Sequence, residues 1–515
     1  MRARQMSPLT ISLLQRLNKF ASDRVAVLAA FLLFIATAAY YNIPEPEFLN
    51  TTFGWEYGNI AASLALGHGF ANAFTPQSGA TAWMPPLFVF FLAGVFKIFG
   101  VKSLASMWLV LVVKYAALAA SLYFLLSVAR QAGYGKFKHL LSLIFITLVF
   151  FNRDAFFRSL HDDWVNLFFV CWSCYALSKQ VFESFESARL HLYSLSILLP
   201  LTNPALTLAF ALAEGFILLS RSQGRPLSHR WKPAALFLLI AASTLAWAAR
   251  NYQAFGALIP IKSNFWYDFY QANVLDTDGL TTNETFAKYH LINKNENQQR
   301  YLAEGEARFT ASYYGLSTAW IRVHPSQWLA DIGRRAFSAF VYSHYVEDIP
   351  HTTPNALTGE DIQTLQHAGL IYIDESNVPY WISTSLSQRE FEAQIAPLNL
   401  GDPSAVVQDW SRQTAALEAH KRSWKIVVKT IFLSIVPSLC IVIGLLIRKI
   451  RANPVFSLAV LLYLTYLAPY IVTSFYRRYQ TPLIGLQSIF IFLAACALLE
   501  QLLPKTSATD FTDSH

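Results

Sequence analysis

Charge is scarce in this 515-residue chain. Asp, Glu, Lys and Arg make up 14% of it, against about 25% in ordinary soluble domains. With 54% hydrophobic residues, that scarcity excludes a plain soluble domain and leaves a polytopic integral membrane protein. Cysteine is scarce too. Cys171, Cys174, Cys440 and Cys496 all lie inside apolar runs, so no disulfide framework is implied. Cys171 and Cys174 form a C-x-x-C with no His or Cys partner nearby, which fits small buried packing residues better than a metal or redox centre. The net charge of +8 comes without a basic domain or a base-reading motif, which excludes nucleic acid as a partner. Its basic residues sit in short loops beside apolar runs, as membrane topology requires. No internal repeat is visible, which argues against inverted-repeat transporters.

Long apolar runs are present. The basic start runs into residues 25–42 without a convincing small-residue cleavage site, so a retained first span over about 24–42 is expected, its basic flank inside. The apolar piece 86–100 opens on Pro85-Pro86 and ends at Gly100. It is short for a crossing helix, and the basic loop 130–138 falls on the inner side only if 86–100 lies in the interface. Further spans are expected at about 105–128, 138–151, 163–179, 233–249, 425–447, 455–475 and 481–502. Residues 191–219 divide into two helices, because Pro200 and Pro204 break the run near Thr202-Asn203. The expected total is about ten spans. Residues 250–424 exceed a simple loop and are expected to form an outward-facing domain, with helical pieces at 303–323 and 326–345. The tail 504–515 is expected to be disordered.

Candidate chemistry gathers at the ends of these runs. In "GWEYGNIAASLALGHGF" (54–70), Tyr57, Ile60, Ala61 and Leu64 recur at helical spacing, predicting a helix along the membrane surface. Glu56 stands at its start, where it serves either as a cap or as a site acid. Glu45 and Glu47 lie just upstream. Asp162 and Asp163 follow His161 at the start of a span; they are helix caps, acids that orient a substrate, or ligands to a divalent cation. Arg477 and Arg478 fall on the outer side, against the positive-inside trend, so they are either interface anchors or anion ligands. Arg250 and Lys262 are further cationic candidates. His68 and His324 also suit ordinary loop positions. Lys114 and Glu214 are the few charges inside the spans. "NTT" at 50–52 and "NET" at 283–285 fit the N-glycosylation pattern.

These stretches resemble GT-C fold glycosyltransferases, among them protein O-mannosyltransferases, aminoarabinose transferases of lipid A and their bacterial relatives. The likeness rests on Glu56-Tyr57, Ile60-Ala61, Gly67-His68-Gly69-Phe70, Pro85-Pro86-Leu87 and Phe99-Gly100. "LHDDWVN" (160–166), "LTNP" (201–204), "WAARNYQAFGALIPIKSNF" (247–265) and "YRRYQTP" (476–482) extend it. Many relatives carry Asp as the first-loop acid, often somewhat earlier relative to the Tyr; this chain has no Asp there, and Glu45, Glu47 and Glu56 are the candidates for that acid, with Glu56 favoured because it adjoins the helix and the aromatics. The resemblance implies an all-α polytopic membrane protein, a GT-C-like helical bundle with juxtamembrane helices in the first outward loop and an outward-facing, mostly helical domain. Residues 1–249 would form the N-terminal transmembrane module, with the catalytic first loop at 43–100, and 425–503 the C-terminal spans. The implied activity is inverting transfer of a sugar from a polyprenyl phosphate to a lipid, glycan or protein acceptor, at the periplasmic face of a bacterial inner membrane. Glu56, Asp163 and Asp162 are its expected catalytic residues. Tyr57, His68, Arg250, Lys262, Arg477 and Arg478 would bind substrate, and membrane lipids would surround the spans. No cofactor is required, with a divalent cation as the alternative. The rivals are a transporter or flippase, which needs charges buried mid-span, and an inactive scaffold of the same fold.

Overall fold

The structure, a computed structural model, describes residues 23–40, 53–221 and 231–275. It also describes 279–502 apart from 282–284, 286–287, 294–295, 342–353, 355–356, 374–378, 383–385 and 422–423. Glu45, Glu47, the "NTT" segment, Asn283 and the tail lie outside the described residues.

The described chain is nearly all helix. Helix α1 (Asp23–Tyr40) is followed by two shorter helices, α2 (Trp55–Ala65) and α3 (Pro86–Phe99), which pack on each other. Then come α4 (Leu104–Gln131), α5 (Lys138–Phe151), α6 (Asp163–Phe182), α7 (Phe185–Leu198), α8 (Pro204–Arg221) and α9 (Trp231–Phe255). Helix α4 packs on α1 and α6, α6 on α7, and α7 on α9. The break expected at Thr202-Asn203 is present. Asn203 Oδ1 accepts the free amides of Ala205 (2.9 Å) and Leu206 (3.2 Å), and Pro204 opens α8, where its missing N–H costs nothing. Helix α2 begins at Gly54, whose φ of +81° suits glycine.

The stretch expected as one outward domain divides. Helices α10 (Phe265–Tyr270), α11 (Glu296–Glu304), α12 (Glu306–Val323) and α13 (Pro325–Phe340) bury Tyr267, Tyr301, Phe309 and Tyr313 in the same core as the bundle. Residues 357–421 build a core of their own. There, helix α14 (Gly359–His367), the antiparallel hairpin of β1 (Ile371–Ile373) and β2 (Pro379–Trp381), and helices α15 (Gln388–Ile395) and α16 (Pro403–Lys421) enclose Leu365, Trp381, Phe391 and Trp410. The Phe391 and Trp410 rings stack at 4.3 Å. The chain then returns through α17 (Trp424–Thr430), α18 (Val436–Leu446), α19 (Arg448–Arg451), α20 (Pro454–Thr473) and α21 (Ile484–Leu502).

Six helices among the described residues are long and apolar enough to cross a membrane: 23–40, 104–131, 233–255, 426–446, 454–473 and 477–502. The protein is therefore an integral membrane protein, with fewer such helices than the ten expected. The shortfall has a physical cause. Helices α5 and α7 have 14 residues each, about 21 Å at 1.5 Å per residue, against a hydrocarbon core of roughly 30 Å. Helix α8 offers only the shorter apolar stretch Pro204–Ser220, and helix α6 is long enough but buries Asp163, Asn166, Ser173, Ser178 and Gln180. Helix α3, also of 14 residues, has the short length read from its sequence.

A candidate active site at one end of the helix bundle

Helices α2, α6 and α21 begin, and α9 and α20 finish, at one end of the bundle. Their termini carry an acid cluster. Arg478, in the 3-10 turn Arg477–Leu483 that leads into α21, closes on the start of α6. Its Nε donates to Asp163 Oδ2 at 2.8 Å and Oδ1 at 3.0 Å, and its Nη2 to Asp162 Oδ1 at 2.8 Å. One planar guanidinium thus joins two adjacent carboxylates, a geometry suited to arginine. Asp162 Oδ2 also accepts the Asn166 amide at 2.7 Å and the Tyr57 hydroxyl at 3.1 Å. That last bond ties α2 to α6. Burial, with the Asp162 charge, pushes the Tyr57 hydroxyl well above its ordinary value, so it stays a donor.

Glu56 sits one residue from this bond and pairs with His290 Nε2 at 3.1 Å. The backbone N–H of Ile292 donates to His290 Nδ1 at 3.3 Å. A neutral ring therefore carries its proton on Nε2 and donates it to Glu56. The Trp55 and Phe74 rings flank the imidazole, with centroids 5.8 and 6.0 Å away. Burial opposes the charge on Glu56. The His290 hydrogen bond, that ring's charge when protonated and a weaker contribution from His161 overcome burial and hold the carboxyl well below the usual range. His161 packs beside Gly54, and burial, then Arg478, push it well below its ordinary value.

Asp268, on α10, completes the cluster. Burial, with a smaller contribution from Glu56, raises its carboxyl to about 6 against the opposing pull of Lys262 and His290. Lys262 is half-buried and has no hydrogen bond or ion pair among the described residues. Its segment is pinned to the first loop, where Ser263 N donates to the Ala82 carbonyl at 3.0 Å.

Glu56, Tyr57, Asp162, Asp163, Lys262 and Arg478 therefore converge. Three other candidates do different work. Arg250 donates to the carbonyls of Thr81 (2.7 Å) and Phe70 (2.8 Å) and lies over the Phe70 and Trp247 rings, bracing the first loop. Arg477 turns inward to Ser434 Oγ at 2.8 Å and to Gln480. His68 is exposed beyond the far end of α2, roughly 15 Å of helix from Glu56. Lys114, buried in α4, holds the carbonyls of Ala155 (3.1 Å) and Ser159 (2.6 Å) and so shapes the loop before Asp162. Among the described residues no group of three or more His, Cys, Asp or Glu is placed to hold a metal ion.

Sequence reasoning missed Asp268 and His290. Asp268 had a signal: "NFWYDFYQ" sets one acid among aromatics, as "GWEYG" does for Glu56. His290 lies in a polar stretch with no pattern to mark it. Compared with known proteins, the chain matches no family model, no curated protein and no solved structure.

Proposed function

We propose that the protein is a glycosyltransferase that moves a sugar, with inversion, from a polyprenyl-phosphate donor to a lipid, glycan or protein acceptor. The reading places it in a bacterial inner membrane with the acid cluster toward the periplasm. It rests on the resemblance of the first loop and is supported by one observation above all. Lys262, without a hydrogen bond or ion pair among the described residues, stands within electrostatic reach of Asp268, and the neighbouring acids Asp162 and Asp163 are clamped by Arg478 at the start of 477–502, a helix long and apolar enough to span a bilayer. Transfer from a lipid phosphate needs both elements. A carboxylate takes the proton of the attacking hydroxyl, and positive charge receives the phosphate as the bond to the anomeric carbon breaks. A polyprenyl tail would remain in the bilayer while its phosphate reached the level of Lys262. The charges buried within helices do not form a path: Lys114 caps backbone carbonyls, and Glu214 accepts from Gln180 at 2.9 Å.

The test is transfer from radiolabelled undecaprenyl-phosphate mannose, glucose and aminoarabinose in membranes holding the full chain. Wild type should move label from one of these donors to endogenous acceptors. Lys262→Ala should raise the donor KM, and Glu56→Gln should cut kcat, with both variants still folded. No transfer by wild type from any of these donors would sink the proposal.

A further inference from the structure

We infer that α13 is a re-entrant helix: it descends into the bilayer beside the spans, and lipid acyl chains cover the apolar stripe it leaves exposed. This holds whether or not the protein transfers sugar. Helix α13 has 16 residues and starts at the finish of α20, where Trp328 Nε1 donates to the Val472 carbonyl at 3.2 Å. It ends against the middle of the same span, with the Phe340 and Tyr463 rings 6.2 Å apart. Tyr463 lies about 15 Å of helix in from Thr473, half of a hydrocarbon core of roughly 30 Å. The Phe340 carbonyl accepts from Ser438 Oγ at 2.7 Å, and Ser438 lies about 18 Å of helix in from the start of span 426–446. That span starts from the end of the bundle that carries the acid cluster, where Arg477 holds its Ser434. The chain therefore goes in and comes back by one face.

The end of α13 is finished as membrane depth requires. The last carbonyls of a helix have no partner within it, and the bilayer core has no water to supply one. Here side chains of the spans supply it: Ser438 serves Phe340, and the Gln480 amide serves Ala339. The outer face is finished likewise. Leu329, Phe337 and Val341 lie on one side of the helix, spaced by multiples of four, and are 63%, 57% and 42% exposed. Asp331, Arg335, Ser338 and Ala339 are buried against the protein. Arg334, beside the stripe, turns back toward the helix start to meet Asp331 at 2.7 Å, the direction in which a cation reaches the headgroups. Through Ser438 the stripe adjoins a span whose own Leu439 and Val442 are exposed. An apolar face at that depth, continuous with the lipid-facing surface of a span, has acyl chains as its occupant.

The experiment places a bimane label on Leu329→Cys, Phe337→Cys, Val341→Cys and, as the water-exposed control on α15, Arg389→Cys in the full chain. The four native cysteines are buried, and the unaltered chain reports any labelling of them. Each variant is checked by its Tm, then reconstituted in vesicles of phosphatidylethanolamine and phosphatidylglycerol. Quenching by chain-brominated lipid is compared with quenching by aqueous iodide. The labels at Phe337 and Val341 should lose most of their fluorescence to brominated lipid and little to iodide, and Arg389→Cys should do the reverse. Leu329→Cys should respond best to bromine near the headgroup, and Val341→Cys to bromine near the chain end. Iodide quenching at Phe337 and Val341 would put α13 in water and overturn the inference. Labels reached by neither quencher would mean that protein covers the stripe, which also overturns it. Equal depth at Leu329 and Val341 would lay the helix flat in the interface and sink the descent.

Discussion

Two buried polar regions lie at the same end of the molecule, and they differ in what is left over. In one, Glu306 and Arg335 are each held by several partners from within the fold. Glu306, 3% exposed, accepts from Thr81 Oγ1 (2.6 Å), the Ala82 amide (2.6 Å), Ser263 Oγ (2.8 Å) and the Tyr301 hydroxyl (2.7 Å). Arg335, 0% exposed, donates to the carbonyls of Ile471 (2.6 Å), Val472 (3.2 Å) and Gly279 (3.1 Å) and to Asn273 Oδ1 (2.9 Å). The other region, from Glu56 to Asp268, keeps among the described residues a lysine with no hydrogen bond or ion pair and a carboxylate oxygen with no donor. A buried ion with a full set of internal partners holds a fold together. A cluster with unused valence has room for something else to complete it.

Breaking the saturated region should cost the most. Arg335→Ala strands the carbonyls that end α20 and should lower unfolding stability by roughly 3–5 kcal/mol, read as a fall in Tm in detergent. Next comes Asp268→Asn. The folded chain holds this proton more tightly than the unfolded chain, since the carboxyl rises from 3.8 to about 6. Its contribution to stability is full below pH 3.8 and is lost as pH rises through 6. The variant should therefore gain up to about 3 kcal/mol on wild type between pH 4 and pH 7, seen as a flatter plot of Tm against pH. A smaller effect is expected for Tyr57→Phe, which removes one donor to Asp162. It should lose about 1 kcal/mol and slow transfer several-fold. His68→Ala, outside both regions, should stay within about 0.5 kcal/mol of wild type with transfer unchanged.

The sequence carried the local features well and the convergence only in part. Prolines and asparagine marked the break before α8, and helical spacing marked α2. The proline pair and Gly100 bounded α3, because each is a statement about neighbouring residues. The count of spans failed on length rather than position: α5 runs from 138 to 151 as expected, yet its 14 residues are too few to cross. Glu56, Asp162, Asp163, Lys262 and Arg478 were found because each is a charge at an apolar boundary. Arg250 and Arg477 looked alike by that criterion, yet they brace backbone and side chains within the fold. Only tertiary contacts separate a cation that holds a loop, as Arg250 does, from one that pairs with acids, as Arg478 does. His290 meets Glu56 across 234 residues of sequence, a distance over which no local pattern speaks.

The Arg478 clamp also orders events in time. Its guanidinium lies 315 residues after Asp163. At ribosomal speeds of about 5–20 residues per second, the paired acids wait roughly 15–60 s for their counter-ion. Until the turn before α21 is made, two neighbouring negative charges stand at the start of α6 without that counter-ion. The end of the bundle that carries the acids is thus the last to become electrostatically whole, and a chain stopped short of residue 477 would lose its last span-length helix together with the lock.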